Sequence, residues 1–323
     1  MENLPLVCVC IPCYNAEKTI VETLESIQKQ TYSNVEIYIF DNASTDNTVK
    51  LVADFDTSIH IYKSEKTTTG EENFTRCLNL GRGDYTAIYH ADDLYAPEMI
   101  EKEVAFLEKD KALGVLTFAN IINEHSQKVK SVYAPVCLGL DKGESRAFEI
   151  DELFSAVLRN NNFFFCPSAM IRTQVCINVL KEWRGNLFGP GADLDVWFRI
   201  AKEGGLGLIN QPLLQYRVSS SHFSHHYNKQ NTDRAVLFTI LNYWIDQEDL
   251  SLDRLDKHWY DTWLMRDNVV RARNAIAQKN IGLAIDLLAQ VQLITMFKEA
   301  LKSWRGMKFF LLAVNVKIKL MFS

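Results

Sequence analysis

Hydrophobic positions along the first third of the chain predict strands and helices in alternation. Continuous apolar runs, typical of strands buried on both faces of a parallel sheet, cover Leu6–Ile11, Val35–Phe40 and Ile59–Tyr62. Helical spacing follows the first run, where Ile20, Leu24 and Ile27 share one face. A fourth strand is predicted inside Gly81–Pro97, and Pro97 is placed as the first residue of the next helix. This alternation predicts βαβ units and a mostly parallel sheet.

Beyond Lys111 the pattern is less regular. It predicts a strand over Leu113–Ile122, a helix over Asp151–Arg159, a helix that holds Leu194 and Trp197, and strands over Leu206–Val218. From Asn231 onward the chain is mostly helical, and Ala272–Gln290 has the pattern of an antiparallel helical pair. The predicted fold class is therefore α/β, a mostly parallel sheet flanked by helices with an all-helical C-terminal extension.

Three predicted strands end in polar segments, namely Pro12–Asn15, Asp41–Asp46 and Asp92–Asp93. Ligands of parallel sheets bind beyond the carboxyl ends of the strands, so we expect these segments to converge on one edge. Adjacent carboxylates repel each other unless a cation compensates, and oxygen ligands suit Mg²⁺ or Mn²⁺ holding a phosphate group. The alternative is that Asp92 and Asp93 only cap the following helix.

Composition narrows the class of protein. The chain has 323 residues, 47% of them hydrophobic, as in an ordinary globular protein. A formal net charge of −5 argues against a nucleic-acid partner. Seven scattered cysteines do not suggest a disulfide scaffold, and neither a leader nor a membrane-spanning apolar run is visible, so the expected location is the cytoplasm.

The C-terminal segment 298–323 differs from the rest in charge. It carries six basic residues against one acid, Glu299, among many apolar and aromatic residues. Such a tail can lie peripherally in the interface of the cytoplasmic membrane, attracted by anionic lipid. A terminal helix docked on its own domain has the same pattern. Both interpretations stay open.

Two common nucleotide-binding motifs are absent from the sequence. There is no Gly-x-x-x-x-Gly-Lys-Ser/Thr loop, and the first predicted βα turn has no Gly-x-Gly-x-x-Gly. Cys10 and Cys13 have thioredoxin-like spacing, but they lie in an apolar strand where a thiol packs as a small hydrophobe. A P-loop enzyme, a dinucleotide-binding enzyme and a redox site are therefore disfavoured.

Five separated motifs resemble the family 2 inverting glycosyltransferases of bacterial surface-polysaccharide synthesis. In order, they cover Ile11–Glu17, Asp41–Asp46, Gly70–Cys77, Gly83–Tyr85 and His90–Asp93. The resemblance is dense over residues 5–115, thins to about residue 225 and is absent from the C-terminal helices. It implies the GT-A fold, which is a Rossmann-related α/β fold.

The resemblance also implies roles for individual residues in donor binding. The nucleotide pocket would be lined by Pro12, Tyr14, Asn15 and Glu17. Asp41 would accept a hydrogen bond from the base, and Arg76 would hold the nucleotide. Asn42 and Ala91 complete this donor-binding set, together with Asp92 and Asp93.

The implied metal, Mn²⁺ or Mg²⁺, would bridge the diphosphate of the donor. Asp92 would coordinate it and Asp93 would support Asp92. His222 stands where some family members place a further metal-contacting histidine. His90 replaces the first acid of the family's Asp-x-Asp, which leaves metal binding mainly to Asp92.

The family's general base matches Asp193, behind the flexible loop Gly189–Gly191. A helix N-cap is the structural alternative for this residue. The acid that often precedes the base is Ala192 here, which leaves Asp195 as another candidate.

The function implied by the resemblance is inverting, metal-dependent transfer of a hexosyl or N-acetylhexosaminyl group. The donor would be a nucleotide diphosphate sugar, expected to be a UDP-sugar, and the acceptor a hydroxyl of a glycan or of a lipid-linked intermediate. Residues 1–115 would bind the donor, residues 116–230 would bind the acceptor and carry the base, and residues 231–323 would form the helical extension. A non-catalytic nucleotide-sugar-binding or scaffolding member and a sugar nucleotidyltransferase are the alternatives, and homo-oligomerisation is left open.

Overall fold

The computed structural model describes residues 4–218, 231–247, 250, 252–302 and 304–321. The chain divides into two compact units, residues 1–219 and residues 220–323. The three-part division predicted from the sequence, with boundaries after residues 115 and 230, stays a prediction.

One mixed sheet forms the centre of the first unit. Its strands are β1 (Val7–Cys13), β2 (Val35–Asp41), β3 (His60–Lys63), β4 (Tyr85–Ile88), β5 (Leu94–Tyr95), β6 (Gly114–Ile122), β7 (Lys128–Ser131), β8 (Ser145–Phe148), β9 (Ala169–Arg172) and β10 (Leu206–Arg217). The strand order is β3-β2-β1-β4-β9-β6-β10-β5, with β7 beside β6 and β8 beside β10.

The N-terminal part of the sheet is parallel, as predicted. β1 lies between β2 and β4, and Val7 is opposite both Val35 and Tyr85. The rest is mixed, because β9 runs antiparallel to both of its neighbours, β4 and β6. Its apolar run is broken at Pro167 by a turn of 3₁₀ helix, so only the residues after that turn pair as a strand.

Helices of the first unit cover the sheet with their apolar faces. They are α1 (Ile20–Gln28), α2 (Thr48–Phe55), α3 (Gly70–Leu78), α4 (Met99–Lys109), α5 (Ile150–Asn160), α6 (Thr173–Val175), α7 (Gly185–Phe188) and α8 (Ala192–Gly204). The predicted face of α1 is confirmed, since Ile20, Leu24 and Ile27 are buried in the core with Val7 and Val9.

The start of α4 corrects one prediction. Pro97 is not the first helical residue, because α4 begins at Met99 with Glu98 as its N-cap. The carbonyl of Pro97 accepts the backbone N–H of Thr31 at 2.8 Å, and Met99 N–H closes a turn onto the carbonyl of Ala96 at 3.0 Å. These bonds hold Pro97 in a turn that precedes the helix.

The second unit is helical over its described residues. Its helices are α9 (Val236–Gln247), α10 (Arg254–Ala277), α11 (Ile281–Ala289), α12 (Leu293–Ala300) and α13 (Trp304–Met321). The predicted antiparallel pair is formed by α10 and α11, and Asn268 Nδ2 lies 3.3 Å from Gln290 Oε1. Within the described residues no single helix meets the length and hydropathy of a membrane span. Only α11 and α12 together do so, with a bend of 68° between them.

Candidate active site

The loops after β1 and β2 are connected to each other by hydrogen bonds. Asn15 donates its backbone N–H to Ser44 Oγ at 2.9 Å, and its side-chain Oδ1 accepts the N–H of Thr45 at 2.8 Å. Glu17 Oε2 accepts the backbone and side-chain N–H groups of Asn47 at 3.1 and 3.0 Å. Asn15 and Ala43 both have positive φ, 50° and 60°. Such conformations in non-glycine residues persist only where their surroundings hold them.

Asp41 lies at the carboxyl end of β2 and is 2% exposed. Its carboxylate accepts the N–H of Ser44 at 3.2–3.3 Å and faces the thiol of Cys13 at 3.9 Å. Burial and the Asp41 charge raise the pKa of Cys13, so this thiol stays protonated. The neighbouring Asn42 exchanges two hydrogen bonds of 2.9 Å with the backbone of Thr68, in the segment before α3.

Arg76, on α3, fastens the ends of β2 and β3 together. Its Nη1 donates to the carbonyl of Asp41 at 3.2 Å and to Ser64 Oγ at 2.7 Å, and its Nη2 donates to the carbonyl of Tyr62 at 2.8 Å. The guanidinium also lies 5.4 Å from the ring centroid of Phe40. Arg76 therefore shapes the same edge of the sheet where Asp41 lies.

Tyr14 and Pro12 occupy the same edge. Pro12 is opposite Phe40 in the β1–β2 register, and Tyr14, the next residue but one, is 50% exposed. Ala91 is nearly buried and its carbonyl accepts the hydroxyl of Thr19 at 2.8 Å. The structure thus brings the predicted donor-binding residues of β1, β2 and the turn after β4 to one end of the parallel strands.

His90, Asp92 and Asp93 form a cluster in the turn between β4 and β5. One ligand atom from each residue lies within 4.8 Å of the other two. His90 Nδ1 is 4.0 Å from Asp93 Oδ2, and this buried oxygen has no hydrogen-bond partner among the described residues. Burial and the charge of Asp92 raise the pKa of Asp93. A divalent cation fits this donor set, because it would satisfy the orphaned oxygen and offset the paired charges.

Arg217, at the end of β10, holds this turn in place. Its backbone N–H donates to Asp93 Oδ1 at 2.7 Å, and its Nε donates to the carbonyl of Asp92 at 2.7 Å. Its Nη2 pairs with Glu22 Oε2 on α1 at 2.7 Å. No role for Arg217 was predicted from the sequence. The sequence indicated only that Arg217 lies near the end of the last predicted strand region, Leu206–Val218.

Asp193 lies half-buried in the first turn of α8. Burial raises its pKa to about 6, and hydrogen bonds from the backbone of Leu194 and the side chain of Asn162 limit this rise. A carboxylate with this pKa is suited to accept a proton near neutral pH. Asn162 was not predicted, and nothing in its run of three asparagines distinguishes it.

Asp195 has a different environment from Asp193. It is fully buried, with Oδ2 paired to Arg199 Nε at 2.9 Å and Oδ1 lying 3.6 Å from Arg184 Nη1. Arg199 in turn donates to the carbonyls of Leu180 and Glu182. This network ties α8 to the segment before it, so the geometry favours Asp193 as the candidate base.

Two side chains lie within electrostatic range of both the Asp92–Asp93 pair and Asp193. Beyond their own burial, the pKa of Tyr216 is raised by the charges of Asp93, Asp92 and Asp193, and the pKa of Cys166 by those of Asp193 and Asp93. Both carboxylate groups therefore act electrostatically on the same phenol and the same thiol. Asp193 and the turn after β4 therefore act on the same two side chains, although about a hundred residues separate them in the sequence.

A chain of aromatic rings also connects the two regions. The ring of Phe74 lies 5.4 Å from that of His90 and stacks on Trp183 at 4.7 Å. Trp183 meets Trp197 of α8 edge-on at 6.1 Å. Because closely packed rings leave little room for movement, this series of contacts fixes the position of α8 relative to the turn that contains His90. The predicted metal contact His222 lies outside the described residues.

Comparisons with known proteins give similarities of sequence and of fold. The family model described as Glycosyl transferase family 2 matches residues 8–180. The putative glycosyltransferase EpsE of Bacillus subtilis is 28% identical over 248 residues, 73% of this chain and 82% of that protein. The glucosyltransferase WfaP of Escherichia coli is 30% identical over 132 residues, 41% of this chain and 52% of that protein. The S. aureus TarS 1-349 crystal structure with UDP-GlcNAc has a TM-score of 0.58 at 16% identity, over 90% of this chain and 83% of that one.

Proposed function

The chain belongs to glycosyl transferase family 2, and from this premise we propose that it transfers a sugar from a UDP-sugar to a hydroxyl acceptor with inversion at the anomeric carbon. The acceptor would be a glycan or a lipid-linked intermediate in polysaccharide biosynthesis. The observation that carries this proposal is the cluster of His90, Asp92 and Asp93, whose ligand atoms lie within 4.8 Å of one another. Packed aromatic rings connect His90 to α8, the helix that carries Asp193.

The names of the similar proteins support the choice of substrates. WfaP is described as a UDP-Glc:alpha-D-GlcNAc-diphosphoundecaprenol beta-1,3-glucosyltransferase, so its donor is a UDP-sugar and its acceptor a lipid diphosphate. The matching TarS structure contains UDP-GlcNAc. A UDP-sugar donor and a lipid-linked or glycan acceptor are therefore the substrates we propose for this chain.

In the proposed donor site, Asp92 would hold a divalent cation with help from His90 and Asp93. When bound, the cation would neutralise the negative charge that develops on the leaving diphosphate. Arg217 keeps the turn rigid through its bonds to the backbone of Asp92 and the carboxylate of Asp93. Asp41 and the fastened loops after β1 and β2 would receive the nucleotide.

In the proposed transfer step, Asp193 removes the proton from the acceptor hydroxyl as the oxygen attacks the anomeric carbon. The bond from that carbon to the diphosphate oxygen breaks at the same time, and the diphosphate leaves with the electron pair. One carboxylate is enough for this direct displacement, since no covalent sugar–enzyme intermediate is formed. The proton ends on Asp193 and the product has the inverted configuration.

Two substitutions test these assignments. We expect Asp92→Ala to abolish transfer and to weaken the Mn²⁺-dependent binding of UDP, measured by calorimetry with and without a chelator. We expect Asp193→Asn to lower kcat by about 10²–10⁴-fold, the usual contribution of a general base, with UDP binding unchanged. Asp54→Asn, an exposed change on α2, serves as the control that keeps full activity.

The alternatives predict other results. Metal-independent transfer by the native chain would exclude the role of Asp92, and full activity of Asp193→Asn would exclude Asp193 as the base. Binding of UDP-sugars without any turnover, over a panel of donors and acceptors, would favour the non-catalytic alternative. Proton NMR of the product decides whether the anomeric configuration is inverted.

A further inference from the structure

Helices α12 and α13 of the second unit expose several large apolar side chains. On α12 and at its C-cap, Ile294, Phe297 and Leu301 recur at spacings of three and four residues and are 75%, 46% and 69% exposed. This spacing places the three side chains on one face of the helix. Soluble surfaces carry single apolar residues routinely, whereas a row of this kind marks a site of interaction.

The row continues onto α13. Trp304, Leu311 and Ile318 repeat every seven residues and are 72%, 55% and 50% exposed. Leu301 and Trp304 are only three positions apart, so the two rows follow each other closely along the chain. The helices themselves are packed together, since Phe297 and Phe310 lie 5.3 Å apart and a Cβ on Gly306 would meet the carbonyl of Glu299 at 2.4 Å. We call the two rows together the exposed apolar face.

Charges beside the exposed apolar face have one sign. Lys298 and Lys302 are exposed beside the α12 row, and Lys308 and Lys319 are exposed on α13. Glu299 is the single acid between residues 293 and 321. It is 5% exposed and pairs with Lys302 Nζ at 2.7 Å, and His258 Nε2 lies 3.2 Å from its carboxylate. Over residues 293–302 and 304–321 the chain therefore offers positive charge and apolar side chains, and none of its carboxylates there is exposed.

We propose that the exposed apolar face docks on a membrane surface containing anionic lipid. Its apolar side chains would enter the boundary between headgroups and acyl chains, and the lysines would remain at the level of the lipid phosphates. Trp304 has the amphipathic ring that favours this boundary. This inference does not depend on the proposed reaction, because it rests only on the second unit.

Charge complementarity favours a membrane over a second copy of the chain. A twofold contact places a surface against itself, so the lysines of the exposed apolar face would meet lysines. An anionic bilayer supplies the opposite charge to all of them at once. Attraction of this kind weakens with salt, which gives the proposal a second observable.

The test is co-sedimentation of the full chain with vesicles of phosphatidylcholine, with or without phosphatidylglycerol. We expect binding to the anionic vesicles at low salt and a clear loss at high salt. The double variant Lys308→Glu and Lys319→Glu should bind at least about 25-fold more weakly, because each lysine near an anionic surface contributes about fivefold. The triple variant Trp304→Ser, Leu311→Ser and Ile318→Ser should lose at least about tenfold.

Matched controls separate this surface from general effects. Ile285→Ser removes an exposed apolar side chain of α11, and Lys29→Glu with Lys111→Glu makes the same change in net charge on the first unit. Both should bind vesicles like the native chain. Circular dichroism reports whether each variant is folded, and the charge-reversed variant keeps the test valid if the triple variant unfolds.

Three outcomes would overturn the proposal. The native chain could fail to bind anionic vesicles, or the variants of the exposed apolar face could bind as tightly as their controls. Sedimentation velocity could instead reveal an oligomer that the triple variant dissociates, without any vesicle binding, in which case the face binds a second copy. Donor hydrolysis, measured without vesicles, should be unchanged in the variants and reports on the proposed function separately.

Discussion

Asp193 and Asp195 stand two positions apart on α8, and their surroundings separate them chemically. Asp195 forms ion pairs with Arg199 and Arg184. These pairs give it a structural role in anchoring α8. Asp193 has no arginine beside it among its described partners, and burial raises its pKa to about 6. A carboxylate that is basic enough to take a proton and is still ionised at neutral pH suits the role of a general base.

The pH dependence of transfer tests this assignment. Because Asp193 must be ionised to accept a proton, we expect kcat/KM to be flat above about pH 6 and to fall about tenfold for each pH unit below it. The hydrogen bond from Asn162 lowers the pKa of Asp193. Its removal in Asn162→Ala should therefore raise the pKa and move the acidic limb to higher pH.

The same variant distinguishes Asp193 from the groups that face it. Tyr216 and Cys166 lie within its electrostatic range, and the His90–Asp93 cluster also contains titratable groups. If a group of the cluster caused the fall of kcat/KM at acidic pH, that fall would occur at the same pH in Asn162→Ala. An unchanged pH profile in this variant would therefore contradict Asp193 as the titrating base. Rates are to be measured at saturating metal, so that loss of the metal at low pH is not mistaken for protonation of Asp193.

At the scale of elements, the segment before α8 is fitted closely against α3. A Cβ on Gly185 would lie 2.4 Å from Glu71 Cβ, a distance that side chains do not tolerate. Trp183, two residues earlier, stacks on Phe74 and meets Trp197 of α8. Close packing of this segment therefore sets where Asp193 stands relative to the turn after β4.

We expect Gly185→Ala to push this segment away from α3. The clash should cost about 1–3 kcal/mol of the free energy of unfolding, which is typical of overpacking, and should lower kcat more than donor affinity, because Asp193 is displaced. Chemical denaturation and steady-state kinetics measure the two effects. Gly282→Ala is the control, since its Cβ would meet nothing within 4 Å, and helix propensity predicts a gain of up to about 1 kcal/mol there. If Gly185→Ala had the same stability and the same kcat as Gly282→Ala, close packing of Gly185 against α3 would not position Asp193.

At the scale of the whole molecule, one buried carboxyl couples stability to pH. Glu103 on α4 is 0% exposed, and its only described hydrogen bond is from Tyr89 Oη at 3.5 Å. Burial raises its pKa well above the ordinary value. The side chain is therefore held as a neutral acid inside the core of the first unit.

Glu103→Gln tests this coupling. The folded chain keeps the proton to higher pH than the unfolded chain, whose glutamates titrate near about pH 4.3. Its stabilising effect is therefore complete at low pH and is lost as pH rises toward the folded pKa, by up to about 1.4 kcal/mol per pH unit. Glutamine cannot ionise, so the variant should not lose stability from this position as the pH rises. The difference in the free energy of unfolding between the variant and the native chain should therefore grow from pH 5 upward. Parallel curves for both chains would contradict a neutral Glu103.

The sequence by itself determined the local elements and the position of the predicted donor-binding residues at one edge of the sheet. Periodicity was sufficient for α1 and the parallel strands, because burial of an apolar face depends on residues close together in the chain. The polar ends of β1, β2 and β4 could be placed on one edge because parallel strands all end on the same side of a sheet. The family resemblance over residues 5–115 followed from motifs of this local kind, and the family itself is confirmed.

Tertiary structure alone decided the contacts between distant segments. Arg217 donates to Asp93 across more than a hundred residues of chain, and no spacing in the sequence indicates such a bond. The difference between Asp193 and Asp195 depends on which arginines and which apolar side chains surround each carboxylate. The antiparallel direction of β9 depends on a turn and two neighbouring strands. Burial, electrostatic range and strand direction are properties of the packed molecule, and this is the physical reason why local patterns could not supply them.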